Sequence, residues 1–308
     1  MKPPADGGRE LATAVPGGIW VLGFVSMLMD ISSEMIHALL PIYLITVMGA
    51  SASTVGIIEG IAEGTASVTK VFSGALSDWL GRRKFLAVLG YGLSAFTKPI
   101  FPLAPSVAWL VAGRFIDRLG KGIRVAPRDA LVAEIAPPDA RGASFGLRQS
   151  LDTAGAFLGP LAAIALMWGS GDSFAIVFWV AVIPAFAALG LLAFGVREPE
   201  RIVERGKADA PVGRGALRHL GPAYWWVTVI GAIFSLSRFS AAFLLLRAQS
   251  VLLRAQSVGL MATLIPAVMI LMNLVYSLAA LFRLTYAFTY FAGIIRTVWP
   301  SLPISRAQ

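Results

Sequence analysis

Long apolar stretches separated by short polar breaks run through this chain from residue 19 onward. They cover residues 19–48, 54–76, 85–103, 107–126, 145–168, 174–196, 224–246 and 260–282. Stretches of this kind reach or approach the roughly 20 residues a helix needs to cross the hydrocarbon core of a bilayer. In lipid every backbone N–H and C=O has to be satisfied within its own segment, so each stretch reads as a helix. A transmembrane β-barrel would alternate apolar and polar residues over segments of about 10 residues, and no such alternation is visible. A further stretch, 284–298, is apolar but short and holds Arg296; it dips into the interface or forms a tail. The pattern predicts an all-α integral membrane protein of about eight spans.

The polar breaks set the organisation. Residues 1–16 form an N-terminal tail, 17–196 a bundle of six spans, 197–222 a charged linker, 223–283 two further spans, and 284–308 a tail. Loop charge gives the orientation. Arg82, Arg83 and Lys84 follow span 2, while Lys121, Arg124, Arg128 and Arg141 follow span 4. Arg201, Arg205, Lys207, Arg214 and Arg218 follow span 6, whereas the loops around Ser51, Pro105 and Gly171 hold no Lys or Arg. Cytoplasmic loops are the ones enriched in Lys and Arg, so the N-terminus and the ends of the even-numbered spans are expected in the cytoplasm. One loop departs from this rule, the one after span 7, where LLRAQSV at 245–251 is repeated at 252–258 with Arg247 and Arg254. A single perfect copy reads as a tandem duplication that lengthens a loop or a helix end.

Composition agrees with this picture and narrows the chemistry. Of the 308 residues 57% are hydrophobic and 14% charged, against about 25% charged in a soluble domain; mean hydropathy is +0.75. There is no cysteine, so disulfides and thiolate metal sites are excluded, and the two histidines, His37 and His219, are far apart. No metal or cofactor is expected. The net charge of +9 reports basic cytoplasmic loops and implies no nucleic acid. The first stretch is long and interrupted by charge, which reads as a retained span rather than a cleaved signal.

Charges inside the spans point to function. Burying one at the bilayer centre costs at least about 2.5–3.5 kcal/mol, so such residues face a bundle interior or a wet cavity. Span 1 holds Asp30, Glu34 and His37; span 2 holds Glu59 and Glu63, four apart and stacked on one side, with Lys70 further on. Span 4 carries Arg114, Asp117 and Arg118, span 5 Arg148 and Asp152, and span 7 Arg238. Acids and bases nearly balance, which favours internal ion pairs over a cavity of one sign. A proton or solute relay and simple locking of helices both fit. Two stacked carboxylates repel each other, which favours a proton-exchanging role for Glu59 and Glu63. Lys98, before Pro99 near the end of span 3, is expected to snorkel to the interface. Gly155 and Gly159 with Pro160 form a GxxxGP in span 5, a pattern that lets helices approach closely.

Between spans 2 and 3 the chain reads Gly74, Leu76, Ser77, Asp78, Gly81, Arg82, Arg83 and Lys84 in the arrangement GxLSDxxGRRK. This resembles the loop signature of the major facilitator superfamily. Arg118 to Gly122 is similar to the superfamily's RxxxG motif, whose arginine is associated with proton coupling, and Arg114 is the alternative register. The GxxxGP of span 5 looks like its antiporter-associated motif. The runs from Asp117 to Leu131 and from Asp30 to Met35 resemble a bacterial branch of uncharacterised transporters. The resemblance covers roughly residues 17–280. It implies two six-helix bundles alternating access around a central cavity, with no cofactor. Against that plan the chain supplies a complete N-terminal six-helix bundle and a partial C-terminal bundle of about two spans, so a truncated or frameshifted frame is expected. In the family Asp78 contacts a late helix of the second bundle.

The functional expectation is a secondary transporter of a small solute in the bacterial inner membrane, performing proton-coupled efflux and self-associating if active. The alternative is a non-transporting remnant of such a transporter. A membrane enzyme is not expected: Gly142, Ser144 and Gly146 spell GxSxG, but that motif needs a strand-to-helix turn and a nearby histidine. Arg114, Arg118, Lys121, Arg124 and Arg128 recur at about helical spacing, yet the later ones are accounted for by loop charge, so no ligand is named.

Overall fold

The computed structural model describes residues 15–196 and 198. The expected linker, spans 7 and 8 with Arg238, the repeat and the C-terminal tail lie outside the described residues. Those described are helical, with no strand among them: α1 Gly17–Thr46, α2 Ala52–Leu80, α3 Arg83–Thr97, α4 Ile100–Leu103, α5 Val107–Ile135, α6 Arg141–Ser170 and α7 Phe174–Gly195.

Local sequence explains the boundaries. Ser51 caps α2 by accepting from the Thr54 N–H at 3.1 Å, supplying one of the partners a helix start lacks. Gly81 ends α2 and Gly171 ends α6 with φ near +64°, a conformation that costs glycine nothing. Pro99 has no N–H to donate, so the hydrogen-bond ladder breaks there although Lys98 and Pro99 keep helical φ and ψ; α3 stops at Thr97 and a short α4 resumes at Ile100. Pro41, Pro127, Pro160 and Pro184 lie inside helices, as membrane helices tolerate when neighbours satisfy the freed carbonyls.

One boundary differs from the sequence expectation. Span 4 was to end at Ala126, with Arg124 and Arg128 in or beside a cytoplasmic loop. Instead α5 continues through Pro127 to Ile135, and Arg124 and Arg128 are buried along it. Each finds a polar partner inside the bundle, which is why the helix can retain them.

Packing divides the bundle into two blocks. In one, α1 packs along α6 and α7; in the other, α5 packs along α2 and α3; α3 and α7 also touch. Glycine lets backbones meet within each block. A Cβ on Gly155 would lie 2.6 Å from the Met27 carbonyl, and one on Gly159 would lie 2.6 Å from the Glu34 Cβ, so α6 presses directly on α1. Likewise Gly120 and Gly90 face each other across α5 and α3, and Gly122 rests on Ala66 and Thr69 of α2. Gly74 is looser: a Cβ there would meet Ala126 at 3.6 Å, an ordinary contact.

Two apolar clusters form the core of the bundle. One joins Ile19, Leu22, Val25 and Met29 to Tyr91, Leu131 and Leu192. The other joins Met35, Leu39 and Leu44 to Ile58, Phe101, Leu110, Met167 and Phe178. On α1 Asp30, Ser33 and Glu34 lie between Met29 of the first cluster and Met35 of the second, and His37 lies alongside the second. The charge expected inside the spans therefore lies in a layer that adjoins both apolar clusters.

Candidate functional site

The layer is built where α1, α2 and α5 converge. Glu59 and Glu63 sit four apart on α2, and Arg114 and Arg118 sit four apart on α5, so both pairs are stacked at the helical repeat. The two ladders mesh. Arg114 donates to both carboxylate oxygens of Glu59, from Nη2 at 2.7 Å and Nε at 3.2 Å. Arg118 Nη1 meets Glu63 Oε1 at 3.1 Å. Stacked acids that would repel in isolation thus each have a guanidinium. Burial separates them, since Glu59 is enclosed whereas Glu63 is 59% exposed.

Across from these pairs α1 presents His37. Arg114 hydrogen-bonds its Nε2, and Arg118 lies 3.1 Å from the same atom. Glu34 Oε1 lies 3.6 Å from Nδ1, and Asp117 Oδ2 lies 3.9 Å from Nε2. Asp117 is in turn held by Lys98, whose Nζ is 3.0 Å from Oδ1 and 3.1 Å from the Ser33 hydroxyl. Lys98 does not snorkel, contrary to expectation: it is 0% exposed. The helix break at Pro99 leaves its side chain among α1, α3 and α5, where a carboxylate and a hydroxyl compensate the ammonium.

A second cluster continues the layer along α5. Arg148 on α6 donates to Asp152 at 2.7 Å, the four-residue pair read from the sequence, and reaches Asp129 at 3.8 Å. Arg128 donates to Ser26 at 2.9 Å and lies 3.8 Å from Asp152. Arg124 donates to Ser94 and stacks 4.8 Å over the Tyr91 ring. Asp30 and Lys121 stand between the clusters, where Asp152 and Lys121 both act on Asp30 through space.

The loop motif is a separate structure at one end of the bundle. Gly81 supplies the reversal, while Arg83 bridges Asp78 at 3.2 Å, Glu134 at 2.8 Å and the Ala130 carbonyl at 3.2 Å. Asp78 remains 58% exposed and Arg82 is exposed. The motif's charge therefore clamps the end of α5 to the start of α3. Lys84 adds a bond to the Ala193 carbonyl of α7 at 2.8 Å.

The structure thus gathers Glu34, Glu59, Glu63, Arg114, Asp117 and Arg118 into one cluster and Arg148 and Asp152 into its neighbour. It sets Gly155 and Gly159, followed by Pro160, behind the acidic face of α1. Sequence reasoning missed Lys98, Ser33 and the buried state of Arg124 and Arg128. A lysine two residues after an apolar run and directly before proline is the signal that could have found the first.

Such an arrangement holds buried charges of both signs paired with one another inside the bundle. A sequence profile of the Major Facilitator Superfamily matches residues 22–303. The uncharacterized MFS-type transporter MJ1317 of Methanocaldococcus jannaschii is 37% identical over 272 residues, covering 87% of this chain and 65% of that protein. The uncharacterized protein Rv2265 of Mycobacterium tuberculosis is 30% identical over 198 residues, 64% of this chain and 47% of that protein. The chain thus spans about two thirds of the first relative and half of the second. A bacterial homolog of the human lysosomal transporter Spinster, solved in an inward-facing, occupied conformation, superposes with a TM-score of 0.53. It is 19% identical and is matched over 61% of this chain and 46% of its own, which speaks to fold alone. Bundle, motif loop and profile together place this chain in the major facilitator superfamily.

Proposed function

We propose that the chain works as a secondary transporter that moves a small solute out of the cell in exchange for protons across a bacterial cytoplasmic membrane. The observation that carries this reading is the charged layer itself. It sets Glu34, His37, Glu59, Arg114, Asp117 and Arg118 within ion-pair or hydrogen-bond distance of one another, alongside two apolar clusters. Ionisable residues at membrane depth are expensive and mark solute or proton pathways.

In this reading Asp30, Glu34, Glu59 and Glu63 exchange protons while Arg114, Asp117, Arg118, Arg148 and Asp152 reorganise around them, and Arg238 adds a charge from span 7. The loop of Gly74, Asp78, Gly81, Arg82 and Arg83 switches between conformations. Gly155, Gly159 and Pro160 keep α6 against α1. The basic loops support a cytoplasmic N-terminus, and the active form self-associates. Lipid surrounds the apolar exterior, and neither nucleic acid nor an enzymatic step is involved.

Reconstituted vesicles test the proposal. An imposed pH gradient should drive flux of at least one member of a panel of small organic solutes. A protonophore should abolish that flux, and R114M should reduce it about tenfold or more, the scale set by breaking a buried charge pair. Flux indifferent to the gradient, or absent for every solute in intact vesicles, sinks the reading.

A further inference from the structure

The charged layer encloses one imidazole among carboxylates and cations. His37 stands one turn after Ser33 on α1 and beside Glu34. From α5, Arg114 and Arg118 both point donors at its Nε2, Arg118 at 3.1 Å. A guanidinium has donors only, so Nε2, which both arginines approach, is the better-placed acceptor, and Nδ1 faces Glu34 Oε1 at 3.6 Å. Arg118 Nη2 also lies across the ring edge, 3.2 Å from Nδ1. The other neighbours come from every element around it. α2 brings Glu59 and Glu63 behind the arginines, α3 is continued by Lys98, and α5 adds Asp117 and Lys121. Helix α6 packs against Glu34 itself through Gly159, and α7 meets α1 through the Ala181 carbonyl that accepts from Ser32 at 2.6 Å.

We propose that His37 is the proton-accepting switch of this layer and that Lys98 is its positioning residue. The proposal rests on the proton-coupled reading above. A proton added to Nε2 fills the lone pair that both guanidiniums use. The two arginine–histidine hydrogen bonds end and no covalent bond breaks. The new imidazolium N–H then turns to Asp117 Oδ2, 3.9 Å away, while Nδ1–H keeps Glu34. Arg114 retains Glu59, and Arg118 retains Glu63 at the exposed margin of the layer. One proton thus replaces arginine–histidine bridges between α1 and α5 by a histidine–carboxylate bridge, and leaves two guanidiniums with open donors.

Asp117 can accept from the ring only if it is held as an anion with one oxygen free. Lys98 provides this, taking Oδ1 at 3.0 Å and leaving Oδ2 toward His37. The same ammonium donates to Ser33 at 3.1 Å. A single side chain thereby sets the separation of α1 and α5 beneath the imidazole.

The full chain has two histidines, so in the H219Q protein every histidine NMR signal belongs to His37. Nitrogen-labelled histidine in detergent micelles should show the Nδ1–H tautomer at high pH and a single protonation within the pH range where the protein stays folded. K98M should displace the midpoint by about tenfold or more in proton concentration, about one pK unit, and K98R should restore it. D117N should displace it comparably, without adding to K98M. An Nε2–H tautomer, an imidazole that does not titrate, or a midpoint unmoved in K98M overturns the proposal. If K98M does not purify as a monodisperse protein, D117N carries the same comparison. Gradient-driven flux with a pH-silent His37 defeats the switch and leaves coupled transport standing. A titrating, Lys98-dependent His37 in vesicles without such flux does the reverse.

Discussion

Arg114 and Arg118 differ in how completely their partners leave water, and this sets what each pair is worth. Glu59 and Arg114 are both buried and joined by two hydrogen bonds. Removing one charge strands the other in a low-dielectric interior, at a cost of about 3–5 kcal/mol. E59Q should therefore lower the melting temperature in detergent strongly, and the double variant E59L/R114M should recover much of the loss. Glu63 is 59% exposed among the described residues, and an exposed ion pair contributes about 0–1 kcal/mol. E63Q should melt close to the parent protein. Equal losses in E59Q and E63Q would show that burial does not distinguish the two carboxylates. The four-residue spacing of these side chains was visible in the sequence. Which acid met which base was not, because pairing depends on where α2 and α5 cross. Lys98 shows the same limit: near a span end the sequence offers no means of telling a snorkelling lysine from one folded inward.

Within each block the helices are fixed by glycine contacts that differ in tightness. A Cβ on Gly120 would lie 2.6 Å from the Gly90 carbonyl, and neither backbone can yield without moving a helix. G120A should destabilise the protein by about 1–3 kcal/mol, the usual cost of overpacking. G74A has room and should be near neutral; thermal melts of the two variants check the contrast, and a G74A loss matching G120A would contradict it. The GxxxG of α6 could be read in advance because its two glycines share one face of one helix. The contact at Gly90 and Gly120 joins single glycines on different helices, which no periodicity reveals. Helix bounds were legible to within a few residues wherever a proline or glycine marked them. The overrun of α5 was not, since Pro127 and the basic residues around it imitate a loop.

Over the whole described bundle, backbone contact concentrates within the two blocks, while polar side chains carry much of the bridging between them. Ser33 to Lys98, His37 to Arg114 and Arg118, Ser26 to Arg128, and Arg148 to Asp129 all cross this boundary. Ion pairs exchange partners more readily than interlocked backbones separate, so the boundary is where rearrangement is expected. R128M should therefore weaken the joint between blocks more than either block. Hydrogen exchange should speed up in the segments of α1 and α5 that face each other before it does at the Gly90–Gly120 crossing. Uniform acceleration throughout the bundle would argue against two blocks. Fold class and the identity of the charged spans were legible from hydropathy and motif. The division into blocks required coordinates, because helices adjacent in sequence are mostly not the ones that pack together.

The charge carried by α2 and α5 also bears on how the chain enters the membrane. Among the described residues four segments are long and apolar enough to cross on composition alone, formed by α1, by α3 with α4, by α6 and by α7; α2 and α5 are not among them. A nascent α2 reaches the translocon with Glu59 and Glu63 before Arg114 and Arg118 have been synthesised, so its insertion waits on a helix still inside the ribosome. Biogenesis of this protein is therefore expected to be non-sequential, with α2 retained at the translocon until α5 arrives. Glycosylation mapping of R114M/R118M should find α2 poorly inserted and the topology of α6 and α7 unchanged.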